Sequence, residues 1–378
     1  MKVNIAVGAR FNAGITANVL ARNSIDFTIY TSSPPKNWKA AQKHVRFIPM
    51  PFRVIASLVG KRIPSSLREK DAIIFDLMVA LFMKRSDILH GWASFSLETG
   101  KKQKHWGGIF LLDRACPHAR YQRNLLIEEA ELLEIDHEPM SVAMMSRMEQ
   151  EYELADKILV PSLYTYDSFL NNGIPKDKLE ILRLDANFVP NKPRIRSEVR
   201  NGEFIVGAIG GNILRKGFVY LLRAWKKMNL KGAKLLIKSS QSEIDKIPIL
   251  SRIIKDDPTI EVKGYVDNIE SFYDQCDVFC LPSIDDGFGM VVLEALACGV
   301  PVIATTNVGA AEFIRHGENG YKIPIRDEDI LAEYLQRLYE NPQLIHMMSE
   351  VAISSYTEYR ASSMNYEKSL LSLYSRYA

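Results

Sequence analysis

Two carboxylates, Asp286 and Glu294, stand eight positions apart in a stretch that is otherwise glycine-rich and apolar. Carboxylates accept bidentate hydrogen bonds from vicinal hydroxyls, so one acid could hold a sugar and the other a ribose. On a single helix they would lie about 12 Å apart, which matches a sugar and a ribose joined by a diphosphate. The alternative is that Asp286 only caps a helix and Glu294 is solvated. Glu294 stands between Leu293 and Ala295, where a charge is costly without a ligand or partner, so we favour the binding role.

The residues around this acid pair predict an anion-binding turn. An apolar segment, Val278–Leu281, reads as a buried strand that ends in a polar turn. Gly287, Phe288 and Gly289 then open a helix, which Gly299 ends. Glycines let a ligand approach the backbone, and the free amides of a helix start favour an anion. We therefore expect Gly287, Phe288 and Gly289 to contact a phosphate.

A second glycine turn lies upstream and is followed by two cations. The strand Phe204–Ile209 runs into Gly210 and Gly211, and Arg215 and Lys216 follow before a helix. These cations could neutralise a diphosphate leaving group. The alternative is a glycine turn with two solvated cations.

The order of elements predicts an α/β protein with two doubly wound, Rossmann-like domains that face a central cleft. Short apolar runs alternate with helical patterns, which indicates βαβ units and parallel sheets. The pattern lapses over residues 183–202, which are rich in proline and asparagine. We assign residues 1–185 to an acceptor-side domain, 186–202 to a linker and 203–355 to a nucleotide-sugar-binding domain. Residues 356–378 are predicted to form one helix that crosses back to the N-terminal domain.

The acids and the glycine turns together resemble the retaining glycosyltransferases of family 4, which have the GT-B fold. The likeness covers the C-terminal half and extends through Gly-Phe-Gly, Leu-Glu-Ala-Leu-Ala-Cys-Gly-Val-Pro-Val-Ile-Ala and Gly-Ala-Ala-Glu. It implies that Glu294 binds the ribose and that Asp286, where the family has Glu, meets the transferred sugar. It also implies that Lys216 binds the diphosphate. Gly211 stands where the family has Arg, and we expect Arg215 to supply that charge.

The resemblance extends, more loosely, to two further loops. Tyr265 and Val266, after a strand, resemble the loop that meets the nucleotide base, although a plain strand end is the alternative. Gly8 and Gly14 fit a glycine-rich loop that faces the donor across the cleft. The Gly-x-Gly-x-x-Gly fingerprint is absent here, which argues against a dinucleotide-binding dehydrogenase.

Polar residues at strand ends mark the acceptor side. In the family a His lies under the sugar, and His118 is our candidate catalytic residue at this point. Asp113 and Arg114 are alternatives, and His90 ends another strand. Strand ends line the ligand crevice of such sheets. The alternative for either His is a hydrogen-bonded structural residue.

Composition and charge limit the class of protein. A net charge of +3 gives no reason to expect nucleic acid as the main partner. Cys276 and Cys280 lack a second pair at zinc-ligand spacing, so we expect free thiols in a reducing compartment. The N-terminal segment is too quickly polar for a signal peptide, which predicts a cytoplasmic protein.

Two mixtures of basic and apolar residues suggest peripheral membrane contact through the N-terminal domain. They are residues 51–62 and the lysines of residues 101–104. Such patches could hold an anionic membrane or a lipid-diphosphate acceptor. The alternative is a solvated surface.

These observations predict a retaining glycosyltransferase that moves a sugar from a UDP- or GDP-sugar to a hydroxyl of a glycan, lipid-linked or small-molecule acceptor. Cations would replace a metal, so no metal cofactor is expected. The alternatives are a GT-B epimerase and a non-catalytic nucleotide-sugar-binding subunit.

Overall fold

The computed structural model describes residues 1–9, 11–33, 42–58, 63–190, 192–196, 202–264 and 268–377. Across these residues, thirteen strands form two sheets, and every pairing between neighbouring strands is parallel. The predicted α/β class with two Rossmann-like domains is confirmed.

The first sheet has the order β3-β2-β1-β4-β5-β6-β7. Its strands are β1 Lys2–Val7, β2 Asp26–Thr31, β3 Val45–Phe47, β4 Ile88–Trp92, β5 Ile109–Asp113, β6 Lys157–Val160 and β7 Leu179–Ile181. The second sheet has the order β10-β9-β8-β11-β12-β13. Its strands are β8 Phe204–Ile209, β9 Ala233–Lys238, β10 Ile260–Lys263, β11 Val278–Leu281, β12 Val302–Thr305 and β13 Gly320–Ile323.

Helices connect the strands. Those of the N-terminal half are α1 Ala13–Arg22, α2 Pro51–Leu58, α3 Ser65–Phe82, α4 Leu97–His105, α5 Ala119–Leu132, α6 Val142–Leu154 and α7 Leu163–Leu170. Those of the C-terminal half are α8 Phe218–Met228, α9 Gln241–Ile244, α10 Pro248–Asp256, α11 Ile269–Gln275, α12 Met290–Ala297, α13 Glu328–Glu340, α14 Pro342–Ala361 and α15 Tyr366–Ser375. No described helix is both long enough and apolar enough to cross a membrane.

Each sheet reverses its strand order at one point, between β1 and β4 in the first and between β8 and β11 in the second. The central strands consist largely of buried apolar residues because helices cover both faces of a parallel sheet. The loops that leave neighbouring strands at the reversal diverge to opposite faces and leave a crevice at the carboxyl ends. The fold therefore places the two glycine turns side by side, since one follows β8 and the other follows β11.

The chain between the two sheets packs tightly against the second one. The buried guanidinium of Arg196 donates hydrogen bonds to the carbonyls of Tyr273, Cys276 and Cys298 at 2.6, 3.2 and 2.7 Å. These bonds satisfy carbonyls that would otherwise be buried without a partner. The predicted linker is thus extended chain that is held at fixed points, at least over its described residues.

The single helix predicted over residues 356–378 is wrong. Helix α14 continues to Ala361, a turn follows, and Asn365 caps α15 through its side chain. The short Ser362–Asn365 turn separates the two because serine and asparagine side chains bond to the backbone and end helices. Helix α15 packs against the N-terminal domain, where the Tyr366 hydroxyl lies 2.6 Å from the Thr16 hydroxyl and Glu367 pairs with Arg22 at 2.9 Å.

Candidate active site

The loops after β8 and β11 touch through a glycine. Gly217 has a φ of +62°, and a Cβ at this position would lie 2.1 Å from the carbonyl oxygen of Pro282. A larger residue would strain the backbone and push the loops apart. Gly217 also precedes α8, so the chain turns directly from the β8 loop into the helix. This close approach brings Lys216 to the loop that carries Asp286.

Lys216, Arg215 and Asp286 form a cluster at the carboxyl ends of β8 and β11, in which Lys216 and Asp286 are buried and Arg215 is half-buried. The Lys216 ammonium donates a hydrogen bond to Asp286 Oδ2, and Arg215 Nη1 lies 3.6 Å from Asp286 Oδ1. Arg215 also donates to the Asp285 carbonyl at 3.2 Å. The three side chains predicted to meet the sugar and the diphosphate therefore lie together, with two cations against one carboxylate.

The environment of Asp286 favours its ionised form. Burial opposes ionisation, but the charges of Lys216 and Arg215 outweigh it and lower the Asp286 pKa below its usual value. The Phe288 amide adds a hydrogen bond to the carboxylate. Asp286 is therefore an anion at neutral pH. It pairs with the two cations that a ligand phosphate would also need.

Gly210 and Gly211, in the loop after β8, differ in the space around them. A Cβ at Gly210 would lie 2.6 Å from Lys216 Cγ, so this glycine makes room for the lysine side chain. A Cβ at Gly211 would meet no described heavy atom within 4 Å, and Gly211 is exposed. Position 211 is therefore open, and the second cation of the site comes from Arg215.

Glu294 lies on α12 with both carboxylate oxygens engaged. Oε1 accepts a hydrogen bond from Asn187 Nδ2 at 2.7 Å, and Oε2 accepts one from the Tyr273 hydroxyl at 2.8 Å. Glu294 is only 4% exposed, so these partners provide the compensation that a buried charge requires. The solvated alternative is wrong.

Asp286 and Glu294 do not share one helix. Helix α12 begins at Met290, and Gly289, with a φ of +79°, takes the cap position without a side-chain hydrogen bond. The predicted axial spacing of about 12 Å therefore does not apply, because part of the intervening chain is turn and not helix. For the same reason the structure does not support the alternative in which Asp286 caps the helix.

Gly287 and Phe288 serve the domain interface and the core. A Cβ at Gly287 would lie 2.1 Å from the Ala115 carbonyl oxygen of the N-terminal domain. The Phe288 ring is buried and packs edge-on against Phe313, with the ring centroids 6.2 Å apart. A side-chain contact of Phe288 with a donor is thus not available, and its amide already bonds to Asp286.

Asp285 connects the site to the N-terminal domain, a role that the sequence analysis missed. Its carboxylate accepts hydrogen bonds from Gln122 Nε2 at 2.5 Å and from the Tyr164 hydroxyl at 2.9 Å. Burial raises the Asp285 pKa, although Arg215, Gln122 and Tyr164 oppose the rise. Ser162 adds a contact by donating to the Gly287 carbonyl at 2.7 Å. No local pattern marks these partners, because Gln122, Tyr164 and Ser162 read as ordinary helix and cap residues.

His118 lies in the N-terminal domain, at the start of α5. It caps α5, where Nδ1 accepts a hydrogen bond from the Arg120 amide at 3.3 Å. Its ring packs between Tyr152 and Phe169, with centroids 5.1 and 5.2 Å away. Burial and the charges of Arg114 and Arg120 lower its pKa to about 4, so the ring is neutral at pH 7. This environment fits the structural alternative for His118.

His90 and Asp113 lie beneath α15. His90 is inside β4, not at its end, because the strand continues to Trp92. Its Nδ1 lies 2.7 Å from the Tyr374 hydroxyl, and its Nε2 lies 3.6 Å from Asp113 Oδ2. Asn12 donates to Asp113 at 3.4 Å. The C-terminal helix therefore covers both predicted acceptor-side residues.

The remaining predicted residues are dispersed. Arg114 bonds to the Pro117 carbonyl and to Gln122, and Gly14 is half-buried near the start of α1. The Gly8 carbonyl accepts hydrogen bonds from Ser32 and Arg53. Tyr265 and Val266 lie outside the described residues.

The cysteines and the acids offer no metal site in the described part of the chain. Cys116, Cys276, Cys280 and Cys298 are free thiols. Within the described ranges, no group of three or more His, Cys, Asp or Glu side chains could hold a metal ion.

Part of the chain is similar in sequence to known glycosyltransferases. Residues 203–341 match the model of the glycosyl transferases group 1 family. The capsular polysaccharide biosynthesis glycosyltransferase CapM of Staphylococcus aureus is 31% identical over 179 residues, which cover 46% of this chain and 45% of CapM. The chain thus spans less than half the length of the curated relatives it matches.

Solved structures share the whole architecture. The sucrose-phosphate synthase of Thermosynechococcus elongatus superposes with a TM-score of 0.73 at 18% identity, over 100% of this chain and 98% of that one. HepE of Anabaena in complex with UDP-glucose gives a TM-score of 0.71 at 14% identity, over 99% of this chain and 100% of HepE. The chain therefore has the two-domain GT-B architecture, and its residues 203–341 match the model of the glycosyl transferases group 1 family.

Proposed function

We propose that this protein is a glycosyltransferase that moves a sugar from a UDP- or GDP-sugar to a hydroxyl acceptor, with retention of anomeric configuration. The observation that carries the proposal is the buried Lys216–Asp286 pair, with Arg215 beside it, at the strand reversal of the second sheet. This is where open parallel sheets bind nucleotides. Residues 203–355 would bind the donor and residues 1–185 the acceptor.

The charges of the cluster suggest how a donor would enter. Asp286 offsets only part of the positive charge of Lys216 and Arg215. A diphosphate carries more negative charge than one carboxylate, so it competes for both cations when it binds. Asp286 is then free to accept hydrogen bonds from the sugar hydroxyls. The same cations stabilise the charge that grows on the leaving diphosphate, so no metal is required for this step.

Glu294 would take the ribose. Its two oxygens are held by Asn187 and Tyr273, which orient the carboxylate in a buried position. A carboxylate has about four acceptor sites, so the two existing bonds leave capacity for ribose hydroxyls. Tyr265 and Val266 are proposed to meet the base. The likeness of the chain to capsular polysaccharide CapM supports a role in glycan synthesis.

The resemblance to family 4 supports retention of the anomeric configuration. Asp286 would accept hydrogen bonds from the sugar hydroxyls once the diphosphate pairs with Lys216 and Arg215, so we do not assign it as a nucleophile. We propose that the acceptor attacks on the face from which the diphosphate leaves, and that the leaving phosphate takes the acceptor proton. His118 is left out of this mechanism, because it caps a helix and contacts Tyr152 and Phe169.

A donor screen tests the proposal. A nucleotide sugar that binds the native state raises the melting temperature by mass action, and we expect one UDP- or GDP-sugar to do so with a chelator present. Transfer to an acceptor, with the product anomer determined by NMR, completes the test. Binding without transfer would favour a non-catalytic subunit, and nucleotide release without an acceptor would favour an epimerase or hydrolase. Inversion of the anomer would contradict the retaining mechanism.

A further inference from the structure

Two loops at the strand reversal of the first sheet carry aromatic side chains. Phe11 lies between β1 and α1, and Phe95 lies between β4 and α4. Their rings contact edge to face, with the ring centroids 6.4 Å apart. In open parallel sheets the loops on either side of such a reversal border the ligand crevice. The two rings therefore lie beside the crevice of the N-terminal domain.

The Phe11 side chain is exposed, and a series of rings supports it from below. Phe11 is 51% exposed, Phe95 is half-buried and Phe75 is fully buried. The Phe95 ring also packs edge-on against Phe75, with the ring centroids 5.8 Å apart. The three rings thus lead from the core of the N-terminal domain to its surface, and Phe11 is the outermost of them.

The loop that carries Phe11 is anchored on both sides of this residue. A Cβ at Gly8 would lie 2.2 Å from two carbons of the Phe95 ring, so glycine lets that ring lie directly on the loop. After Phe11, the buried side chain of Asn12 accepts a hydrogen bond from Trp92 Nε1 at 3.1 Å. Phe11 therefore projects from a short segment that both neighbouring strands hold in place.

Both loops contain backbone that is strained for residues with side chains. The φ angles of Phe11 and Ser94 are +24° and +81°. The Ser94 and Ser96 amides donate hydrogen bonds to the buried Glu151 carboxylate at 2.7 and 2.9 Å, which holds the β4 loop in this conformation. Strained conformations persist only where the surrounding structure enforces them, and they concentrate at ligand sites. The fold thus fixes the exposed position of Phe11.

Polar groups lie at the same end of the sheet. Ser32 and Ser33 follow β2, the neighbour of β1, and Arg53 Nη1 donates to their hydroxyls at 3.4 and 3.3 Å. Arg53 and Ser32 also bond to the Gly8 carbonyl, which joins them to the loop that contains Phe11. Hydroxyls and a guanidinium can bond to the hydroxyls of a sugar, whose ring faces carry C–H bonds.

We propose that Phe11 is a stacking platform for a pyranose ring of the acceptor, and that the acceptor is therefore a saccharide. The C–H hydrogens of a pyranose carry a partial positive charge, which the negative face of an aromatic ring attracts. Phe95 is a positioning residue, because it supports the Phe11 ring. This inference rests on the proposed function, since it names the acceptor for the sugar bound at Lys216 and Asp286.

Saturation-transfer NMR on the intact protein, with and without UDP, tests the proposal. The probes are methyl β-D-glucopyranoside, methyl β-D-galactopyranoside and methyl N-acetyl-β-D-glucosaminide, with glycerol as a polyol that has no ring. We expect at least one pyranoside to receive saturation, most strongly at the C–H protons of one ring face, and glycerol to receive none. Phe11→Ala should weaken pyranoside binding about tenfold.

Two conservative variants separate stacking from simple apolar contact. Phe11→Leu keeps most of the apolar area but has no aromatic face, so pyranoside binding should weaken about fivefold. Phe11→Tyr keeps the aromatic face and should bind as the native protein does. Phe82→Ala is the matched control, because Phe82 is 57% exposed in the same domain but lies at the end of α3. It should leave pyranoside binding unchanged.

Kinetics and donor titration place the effect on the acceptor. With a UDP- or GDP-sugar, Phe11→Leu should raise the KM for a pyranoside acceptor about fivefold and leave the donor Kd unchanged. A purely structural role for Phe11 would change both. If Phe11→Ala does not fold, as judged by urea unfolding, Phe11→Leu carries the test.

The other results overturn one of the two proposals. Native binding in Phe11→Leu would indicate an apolar contact without stacking, and no saturation of any pyranoside would exclude the platform. Sugar transfer that is equal for glycerol and the pyranosides would also overturn this inference, while the proposed function would stand. Pyranoside binding at Phe11 without any nucleotide-sugar binding would instead overturn the proposed function.

Discussion

The Lys216 ammonium and the Asp286 carboxylate are 70 positions apart in the chain and form a buried ion pair at the ends of β8 and β11. Arg215 adds a second cation 3.6 Å from the same carboxylate. Removal of one partner leaves the other charged group buried without full compensation, which is costly in proteins. The pair therefore links the stability of the second domain to the proposed chemistry.

Lys216→Ala should lower turnover more than donor affinity. The negative charge on the diphosphate grows as the sugar leaves, so the lysine interacts more strongly with the transition state than with the bound donor. We expect kcat to fall about a hundredfold or more while the donor Kd rises about tenfold or less. Steady-state kinetics and calorimetry measure both. Lys226→Ala, which removes an exposed lysine of α8, is the matched control, and equal losses in kcat and affinity would contradict the leaving-group role.

Glu294→Ala should weaken binding of the free nucleotide as well as the nucleotide sugar. Loss of charged hydrogen bonds to ribose should cost about 1.5–3 kcal/mol for both ligands. Calorimetric titration with UDP and GDP measures the loss. Tyr273→Phe removes one bond to Glu294 but keeps the carboxylate, so its nucleotide affinity should change by less than about fivefold. Unchanged nucleotide affinity in Glu294→Ala would exclude the ribose contact.

Asp286→Ala should affect binding of the nucleotide sugar and binding of the free nucleotide differently. We expect the variant to bind the nucleotide sugar more weakly, because the sugar loses its carboxylate. Free nucleotide should bind at least as well as before, since Lys216 and Arg215 no longer pair with Asp286. Titration of both ligands provides the comparison. Equal losses for the two would contradict the sugar contact.

Two further variants at position 286 test the departure from the family pattern. Asp286→Glu restores the longer family side chain, and we expect activity to survive with altered sugar preference. Asp286→Ser should lose activity, because Gly289 already takes the cap position and serine cannot replace the carboxylate. Full activity of Asp286→Ser would support a backbone role in place of a sugar contact.

Glu151 should make the stability of the N-terminal domain depend on pH. Burial raises its pKa to about 8, although the amides of Ser94 and Ser96 donate to its carboxylate. The native state therefore keeps a proton that the unfolded chain releases above a pKa of about 4.5. Stability should then fall as pH rises from about 4.5 to about 8, by at most about 1.4 kcal/mol per pH unit. Urea unfolding of the native protein and Glu151→Gln across this window measures the effect. A slope that persists unchanged in Glu151→Gln would assign the dependence to another group.

The sequence by itself determined the elements that build the site. Apolar runs separated by helical patterns predicted the two parallel sheets. The period of the hydrophobic pattern and the positions of the glycines both reflect local backbone geometry. The order of Gly210, Lys216, Asp286 and Gly289 placed these residues at two strand ends, and parallel topology makes such ends neighbours. The apolar neighbours of Glu294 predicted that its charge needs a partner, which is what the structure contains.

Only the tertiary structure decided which side chains meet. Asn187 and Tyr273 are 107 and 21 positions from Glu294, and no local pattern marks either as its partner. The sequence placed both His118 and His90 at strand ends. In the structure His118 caps α5, whereas His90 lies beneath α15. Such contacts depend on how whole domains pack, and the periodicity of a single segment does not contain that information.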